Sequence, residues 1–92
     1  MSRYVAAYDI ADDTNRQRVA RILDRFGMRL QKSVFEVWLD PDELVDLRRH
    51  LGPLLAEEDQ FEIIPIDLAP HRSRWRWGEP GETYEAVTVL GR

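Results

Sequence analysis

The stretch "AAYDIADDTNRQR", residues 6–18, decides how the chain begins, because an apolar run gives way within it to a polar helix start. Residues 3–10 carry β-branched and aromatic side chains, which favour a β-strand. Asp9 lies inside that run, where an unpaired buried carboxylate would be costly. Two further aspartates follow within five residues, and then come Arg16 and Arg18.

The residues after position 10 predict the first helix. Thr14 and Gln17 have the spacing of a capping box, and Asp12 and Asp13 favour the positive end of the helix dipole. Apolar side chains then recur at helical spacing, at Val19, Ile22, Leu23 and Phe26. Gly27 is placed to end this helix in a left-handed conformation.

Three further segments complete the predicted fold. Residues 28–39 are long enough for two short strands with a reversal near Lys32 and Ser33. Residues 40–43 open a second helix with an N-cap acid, a proline and a capping glutamate, and residues 61–68 form another strand. The order strand, helix, two strands, helix, strand predicts an α+β fold, a ferredoxin-like βαββαβ sandwich.

The 92 residues predict a single domain with a core over residues 3–68 and a C-terminal segment over residues 69–92. A last strand, residues 84–90, has no place in a four-stranded sheet and is free to pair with a second subunit, which would enlarge a small core. The segment "HRSRWRW", residues 71–77, alternates arginine with tryptophan. Tryptophans that cover the core are the favoured interpretation, and a grip on single-stranded nucleic acid is the alternative.

The composition narrows the class of protein. Cysteine is absent, and neither a signal peptide nor a membrane-spanning run is present, so we expect a cytoplasmic protein that does not enter the membrane. The net charge of −4 is unevenly placed: residues 1–36 carry seven bases and five acids, and residues 37–70 carry two bases and nine acids. Twelve of the thirteen bases are arginine, which suits phosphate contacts.

The motifs "YDIADDTNRQRV" (residues 8–19) and "GMRLQKSVFE" (residues 27–36), followed by a helix that starts at a proline, resemble the small CRISPR-associated adaptation proteins, the Cas-two family. The resemblance extends over residues 3 to about 68. It implies a ferredoxin-like homodimer whose first strands meet near the two-fold axis. It also implies a scaffold that holds double-stranded spacer DNA with the CRISPR-associated integrase, and a metal-dependent endonuclease acting on RNA, including single-stranded RNA, or on DNA.

The resemblance also implies roles for particular residues. Asp9 from both subunits would share a Mg²⁺ ion, with Tyr8 beside it as a second catalytic residue. Mg²⁺ suits this position because it often takes one or two carboxylates and keeps several waters. Nucleic-acid contacts are expected from Arg16, Arg18, Arg29 and Lys32. Ser33 is expected as a turn residue and Phe35 as a core or dimer-interface residue.

Other interpretations stay open for these residues. On the residues alone, an Asp9 that ends a strand and hydrogen-bonds the next turn is slightly favoured over a metal ligand. Arg16 and Arg18 could also belong to a solvated helix face, to which Arg21 and Arg25 are assigned. The two histidines are far apart in sequence, which argues against a histidine metal cluster. A toxin-like RNA-cleaving relative or a non-catalytic binding dimer would fit the same fold.

Overall fold

The computed structural model describes residues 1–66 and 75–78, which form an antiparallel sheet with two helices. The elements in chain order are β1 (Ser2–Asp9), α1 (Asp13–Asp24), β2 (Gly27–Gln31), β3 (Val34–Leu39), α2 (Pro41–Leu51), a 3₁₀ turn (Gly52–Leu54), β4 (Gln60–Pro65) and β5 (Trp75–Trp77). The strand order is β2-β3-β1-β4-β5, and each neighbouring pair is antiparallel. The predicted α+β class is confirmed, and so is the order of its first six elements.

The two helices begin at aspartate caps. The carboxylate of Asp12 accepts a hydrogen bond of 2.8 Å from the Asn15 amide, so Thr14 lies inside the first turn and its predicted capping role is wrong. The second helix has the predicted capping box: the Asp40 carboxylate accepts from the Glu43 amide at 2.8 Å, and the Asp40 amide donates to the Glu43 carboxylate at 3.0 Å.

Gly27 does not end α1 in a left-handed conformation, as the sequence predicted. The helix closes at Arg25 in right-handed geometry, and among the described residues only Gly78 has a positive φ. Gly27 instead opens β2 against the backbone of β3, where an added Cβ would lie 1.8 Å from the Glu36 carbonyl oxygen. The glycine is required for close strand approach, which the sequence pattern did not distinguish from a helix stop.

The main core lies between the sheet and the helices. Side chains alternate along β1, so Tyr4, Ala6 and Tyr8 face the helix residues, and the buried helix positions are Val19, Ala20, Leu23, Leu44, Leu47 and Leu51. Val5 and Ala7 point to the other face, where they form a smaller cluster with Val34. The alternation places Asp9 on this second face, at the end of the central strand.

β5 adds a short fifth strand to the sheet. It pairs with β4, with Trp77 opposite Phe61 and Trp75 opposite Ile63, and both tryptophans pack against the main core. The Trp75 ring centroid lies 5.5 Å from that of Phe61. The interpretation that these tryptophans cover a small core is confirmed.

Some sequence predictions concern other parts of the chain. The last strand, residues 84–90, lies outside the described residues, and so do residues 67–74 and with them the end of the predicted fourth strand. Neither of the helices in the described ranges is long and apolar enough to cross a membrane.

The close approach at Gly27 predicts a large difference between two glycine substitutions. Gly27→Ala should lower the free energy of unfolding by about 1–3 kcal/mol, the usual cost of overpacking, because the new methyl meets backbone atoms of Glu36 and Val37. Gly52→Ala is the control, since apart from its chain neighbours a Cβ there meets nothing within 4 Å. Gly52 has helical geometry directly before Pro53, where a side chain is disfavoured, so this change should lower the free energy of unfolding by less than Gly27→Ala does, by about 1 kcal/mol or less. Urea denaturation of both variants tests this, and equal stabilities would contradict it.

Candidate functional site

A cleft of about 560 Å³ opens where β1 ends, between the start of α1 and the turn that joins β2 to β3. Its lining consists of Tyr8, Asp9, Ile10, Arg16, Gln17, Ala20, Arg29, Lys32 and Ser33. Six of these residues were predicted from the sequence as site or interface residues: Tyr8, Asp9, Arg16, Arg29, Lys32 and Ser33. The topology brings them together because β1 is central and β3 is its hydrogen-bonded neighbour.

Asp9 is exposed at the mouth of this cleft. The carboxylate therefore bears no burial cost in the single chain, which corrects the expectation raised by its apolar neighbours in the sequence. No hydrogen bond or ion pair to the Asp9 side chain is formed within residues 1–66 and 75–78. Within the part of the chain that the structure describes, the Asp9 carboxylate oxygens are thus not engaged by another side chain.

The turn after β1 is held by a different acid, Asp59, which the sequence analysis did not single out. Its side chain is buried, with 2 % exposure. One carboxylate oxygen accepts from the Ala11 amide at 3.1 Å and the other from the Ala56 amide at 2.8 Å. The alternative role considered for Asp9, hydrogen bonding to this turn, is therefore filled by Asp59. Its partner at Ala11 is 48 residues away, so no local spacing could have indicated it.

Arg16 points into the cleft and is fixed by two contacts. One terminal nitrogen donates to the Ile10 carbonyl at 3.0 Å, and the other pairs with the Asp13 carboxylate. Asp13 thus serves the first helical turn, as expected for an acid at a helix start. A guanidinium has five N–H donors, so Arg16 keeps donors for a ligand while its position is set by the protein.

Arg29 and Lys32 give the cleft its positive charge. The Arg29 guanidinium lies 5.1 Å from the centre of the Phe35 ring, a cation–π contact that holds the group beside the cleft. Lys32 is exposed at the turn between β2 and β3. With Arg16, three cationic side chains face one carboxylate, so the lining as a whole favours an anion such as a phosphate.

Tyr8 is the buried wall of the cleft, with 1 % exposure. Its ring lies between Phe35 and Phe61, at centroid distances of 6.3 and 6.0 Å, and its hydroxyl donates to the Lys32 carbonyl at 3.4 Å. Burial raises the pKa of Tyr8 above its ordinary value of 10.0, and the charges of Arg29 and Arg16 oppose this only in part. The phenol therefore stays protonated at neutral pH and can act as a hydrogen-bond donor, not as a base.

The other predicted residues lie elsewhere. Arg18 is exposed on α1 and does not line the cleft, because two residues along a helix turn the side chain by about 200° relative to Arg16. Phe35 is fully buried in the core, in agreement with its assignment as a packing residue. Gln17 and Ala20 line the cleft and were not predicted; the spacing of Ala20, four residues after Arg16, is the signal that could have identified it.

Comparison with known proteins identifies the family. Residues 1–73 match the family described as CRISPR associated protein Cas2. The chain belongs to the Cas2 family. A Synechocystis protein named CRISPR-associated endoribonuclease Cas2 3 is 37% identical over 91 residues, which is 98% of this chain and 99% of that protein.

Two further Cas2 proteins resemble the chain, one in sequence and one in crystal structure. A Rhodospirillum rubrum protein named CRISPR-associated endoribonuclease Cas2 4 is 46% identical over 66 residues, covering 71% of this chain and 53% of that protein, about half its length. The crystal structure of Streptococcus pyogenes Cas2 superposes with a TM-score of 0.64 at 25% identity, covering 75% of this chain and 88% of that one. The family resemblance predicted from the two motifs is confirmed.

The residues of the cleft can contribute to a metal site only in part. Within the described ranges, no three His, Cys, Asp or Glu side chains lie close enough together to hold a metal ion. Asp9 offers hard oxygen donors, which suit Mg²⁺, and its carboxylate is not engaged by another side chain there. Among the described residues that line the cleft, Asp9 is the carboxylate that could bind such an ion, and a complete coordination set would need further oxygen ligands.

The buried phenol of Tyr8 predicts how stability depends on alkaline pH. Because the pKa is raised in the folded state, the contribution of Tyr8 to stability is present in full below pH 10.0 and is lost as pH rises through the folded-state pKa. In Tyr8→Phe this titration is absent. Its free energy of unfolding should therefore fall less steeply above pH 10.0, by up to about 1.4 kcal/mol per pH unit.

At neutral pH the same variant should lose no more than about 1 kcal/mol, since the hydrogen bond to the Lys32 carbonyl is long. Urea denaturation across the alkaline range measures both effects. Parallel stability curves for wild type and Tyr8→Phe would contradict the assignment.

Proposed function

We propose that this Cas2 chain forms a homodimer with a ferredoxin-like sandwich in each subunit, binds nucleic-acid phosphodiesters in the cleft and cleaves them with Mg²⁺. The observation that carries the proposal is the exposed carboxylate of Asp9, which lines one cleft together with the cations Arg16, Arg29 and Lys32. The printed names of the relatives, endoribonuclease in Rhodospirillum rubrum and Synechocystis and endonuclease in Thermus thermophilus, support a nuclease.

The cations would hold the substrate. Arg16 and Arg29 have planar guanidinium groups that bind phosphate oxygens in pairs, and Lys32 adds a point charge at the rim. Contacts of this kind position a phosphate backbone and carry no base specificity. RNA and duplex DNA both remain candidate substrates, and Arg18 on the exposed side of α1 would contact a longer strand outside the cleft.

Asp9 would supply the metal ligand, once from each subunit. The divalent ion, when bound, polarises a phosphate oxygen and lowers the pKa of a bound water. Two carboxylates near a dimer axis repel one another, and a shared cation relieves that repulsion. The place of Asp9 at the end of the central strand, on the face opposite the helices, is compatible with two first strands meeting at such an axis.

Tyr8 would contribute as a neutral donor. Its hydroxyl fixes the carbonyl of Lys32, and so the turn that carries the rim of the cleft. Since burial raises its pKa, the phenol cannot take a proton from water at neutral pH. The proton from the attacking water would therefore go to the solvent or to a phosphate oxygen.

Removal of the Asp9 carboxylate should abolish cleavage without loss of the fold. For Asp9→Asn we expect the Mg²⁺-dependent rate on matched RNA and duplex DNA to fall about 100- to 1000-fold, as when electrostatic stabilisation of a transition state is removed. Asp42→Asn, an exposed acid on α2, is the control and should cleave like wild type. Undiminished cleavage by Asp9→Asn in a preparation free of contaminating nuclease would refute the catalytic assignment.

We also propose a scaffold role, in which the dimer holds double-stranded spacer DNA and docks the CRISPR-associated integrase. The acidic half of the chain supports it: residues 37–70 carry nine acids and two bases, and Asp42, Asp46, Glu57 and Glu58 are exposed. A surface of this charge attracts a basic partner, and the attraction weakens with salt. This role requires no chemistry at Asp9.

The scaffold role predicts a separation of the two activities. A Glu57→Gln/Glu58→Gln variant should bind the purified integrase several-fold more weakly at low salt, by about 1 kcal/mol or less per exposed charge, and should cleave normally. Asp9→Asn should bind the integrase and support spacer integration as wild type does. Calorimetry and an integration assay test both, and the reverse pattern would contradict the scaffold role.

A further inference from the structure

The loop between β1 and α1, residues 10–12, is fixed from a distant part of the chain. The Ala11 amide of this loop donates to Asp59, whose carboxylate is buried and accepts from two backbone amides at once. The loop begins directly after Asp9. Any shift at Ala11 is therefore transmitted over two residues to the carboxylate at the mouth of the cleft.

A residue of β5 holds the turn that contains Asp59. The indole nitrogen of Trp77 donates to the Ala56 carbonyl at 2.9 Å, and the Asp59 amide donates to the same carbonyl at 3.1 Å. The backbone of Gly78 also approaches closely, because an added Cβ would lie 2.3 Å from the Asp59 carbonyl oxygen. The end of β5 is thus packed against the residue that supports the loop.

The Asp59 carboxylate joins two segments of the chain. A carboxylate can accept several hydrogen bonds, and here each oxygen serves a different segment: one the loop after the first strand, the other the turn before the fourth. Burial within a low-dielectric environment strengthens such charge-assisted bonds and fixes their geometry. The result is a rigid tie between two loops that are far apart in sequence.

We propose that Asp59 is a positioning residue for Asp9, and that Trp77 sets the turn from which Asp59 acts. The inference rests on the proposed function, since it concerns the residue that would hold the metal ion. Asp59 touches neither substrate nor ion. It acts through the Ala11 amide, in the way that groups behind metal ligands orient them.

The test uses Asp59→Ala in the full chain, because this truncation removes both acceptors and leaves the Ala11 amide without its carboxylate partner. Without metal or nucleic acid, the Ala11 amide should exchange with solvent about tenfold faster than in wild type, the change that corresponds to one lost hydrogen bond. In cleavage assays the Mg²⁺ concentration for half-maximal rate should rise about 10- to 100-fold.

Leu44→Val, a mild truncation in the core at α2, is the control for general loss of stability. It should lower the melting temperature and leave both the Ala11 exchange rate and the Mg²⁺ dependence as in wild type. Trp77→Phe keeps an aromatic ring but removes the donor to the Ala56 carbonyl, so it should shift both readouts in the same direction by a smaller factor.

Unchanged Ala11 exchange in Asp59→Ala would overturn the inference. Faster exchange with an unaltered Mg²⁺ dependence would also overturn it, because Asp59 would then be structural only. If wild type cleaves neither RNA nor DNA at any Mg²⁺ concentration, the proposed function fails, and calorimetric titration of Mg²⁺ into wild type and Asp59→Ala then tests the positioning role; equal affinities would overturn it. A Trp77→Phe variant with wild-type exchange would remove Trp77 from it.

Discussion

A row of four aromatic rings on four adjacent strands, three of them stacked and the fourth tilted, holds the sheet in register. Phe35, Tyr8, Phe61 and Trp75 come from β3, β1, β4 and β5, with successive centroid distances of 6.3, 6.0 and 5.5 Å. An arginine lies over each end of the row, Arg29 on Phe35 and Arg48 on Trp75. Aromatic pairs and cation–π contacts each contribute about 0.5–1.5 kcal/mol beyond burial, so the row fixes how the strands align.

The aromatic row also determines where the chemistry lies. Because Tyr8 occupies the centre of the row, the next residue leaves the core, and Asp9 emerges at the end of the central strand. The same row brings Arg29 to the cleft, since its guanidinium rests on Phe35. The packing of the core therefore also positions the site, because the buried Tyr8 determines where the exposed Asp9 lies.

Most of the fold could be predicted from local patterns. β-branched and aromatic residues located the first strand, the length of residues 28–39 indicated the next two, and the cap at Asp40 with its following proline located α2. The errors were also local: Thr14 and Gly27 each match a common signal, yet a neighbouring Asp12 is the better cap and the glycine serves a strand contact. Such signals compete, and tertiary packing decides which of them is used.

The site residues that belong to the two sequence motifs could be predicted. Residues that contact the site region from a distant part of the sequence could not. Asp9, Arg16 and Arg29 belong to two motifs, and the structure brings the motifs to one cleft. Asp59 belongs to an acidic run whose neighbours, Glu57 and Glu58, are exposed, so nothing in its surroundings marked it as buried. Its partners are backbone amides, and almost every residue type has one, so the sequence does not indicate which residues donate to Asp59.

Trp77 and the Asp59 amide both donate to the Ala56 carbonyl, and this shared contact has a consequence for local unfolding. β5 is three residues long and pairs with one neighbour in the described sheet, so it belongs to the elements that open at low free energy. Detachment of β5 would remove the indole from the Ala56 carbonyl while the other four strands stay paired. The order of the loop beside Asp9 is thus coupled to a short strand at the edge of the described sheet, so local unfolding of β5 would loosen the loop at the end of the central strand.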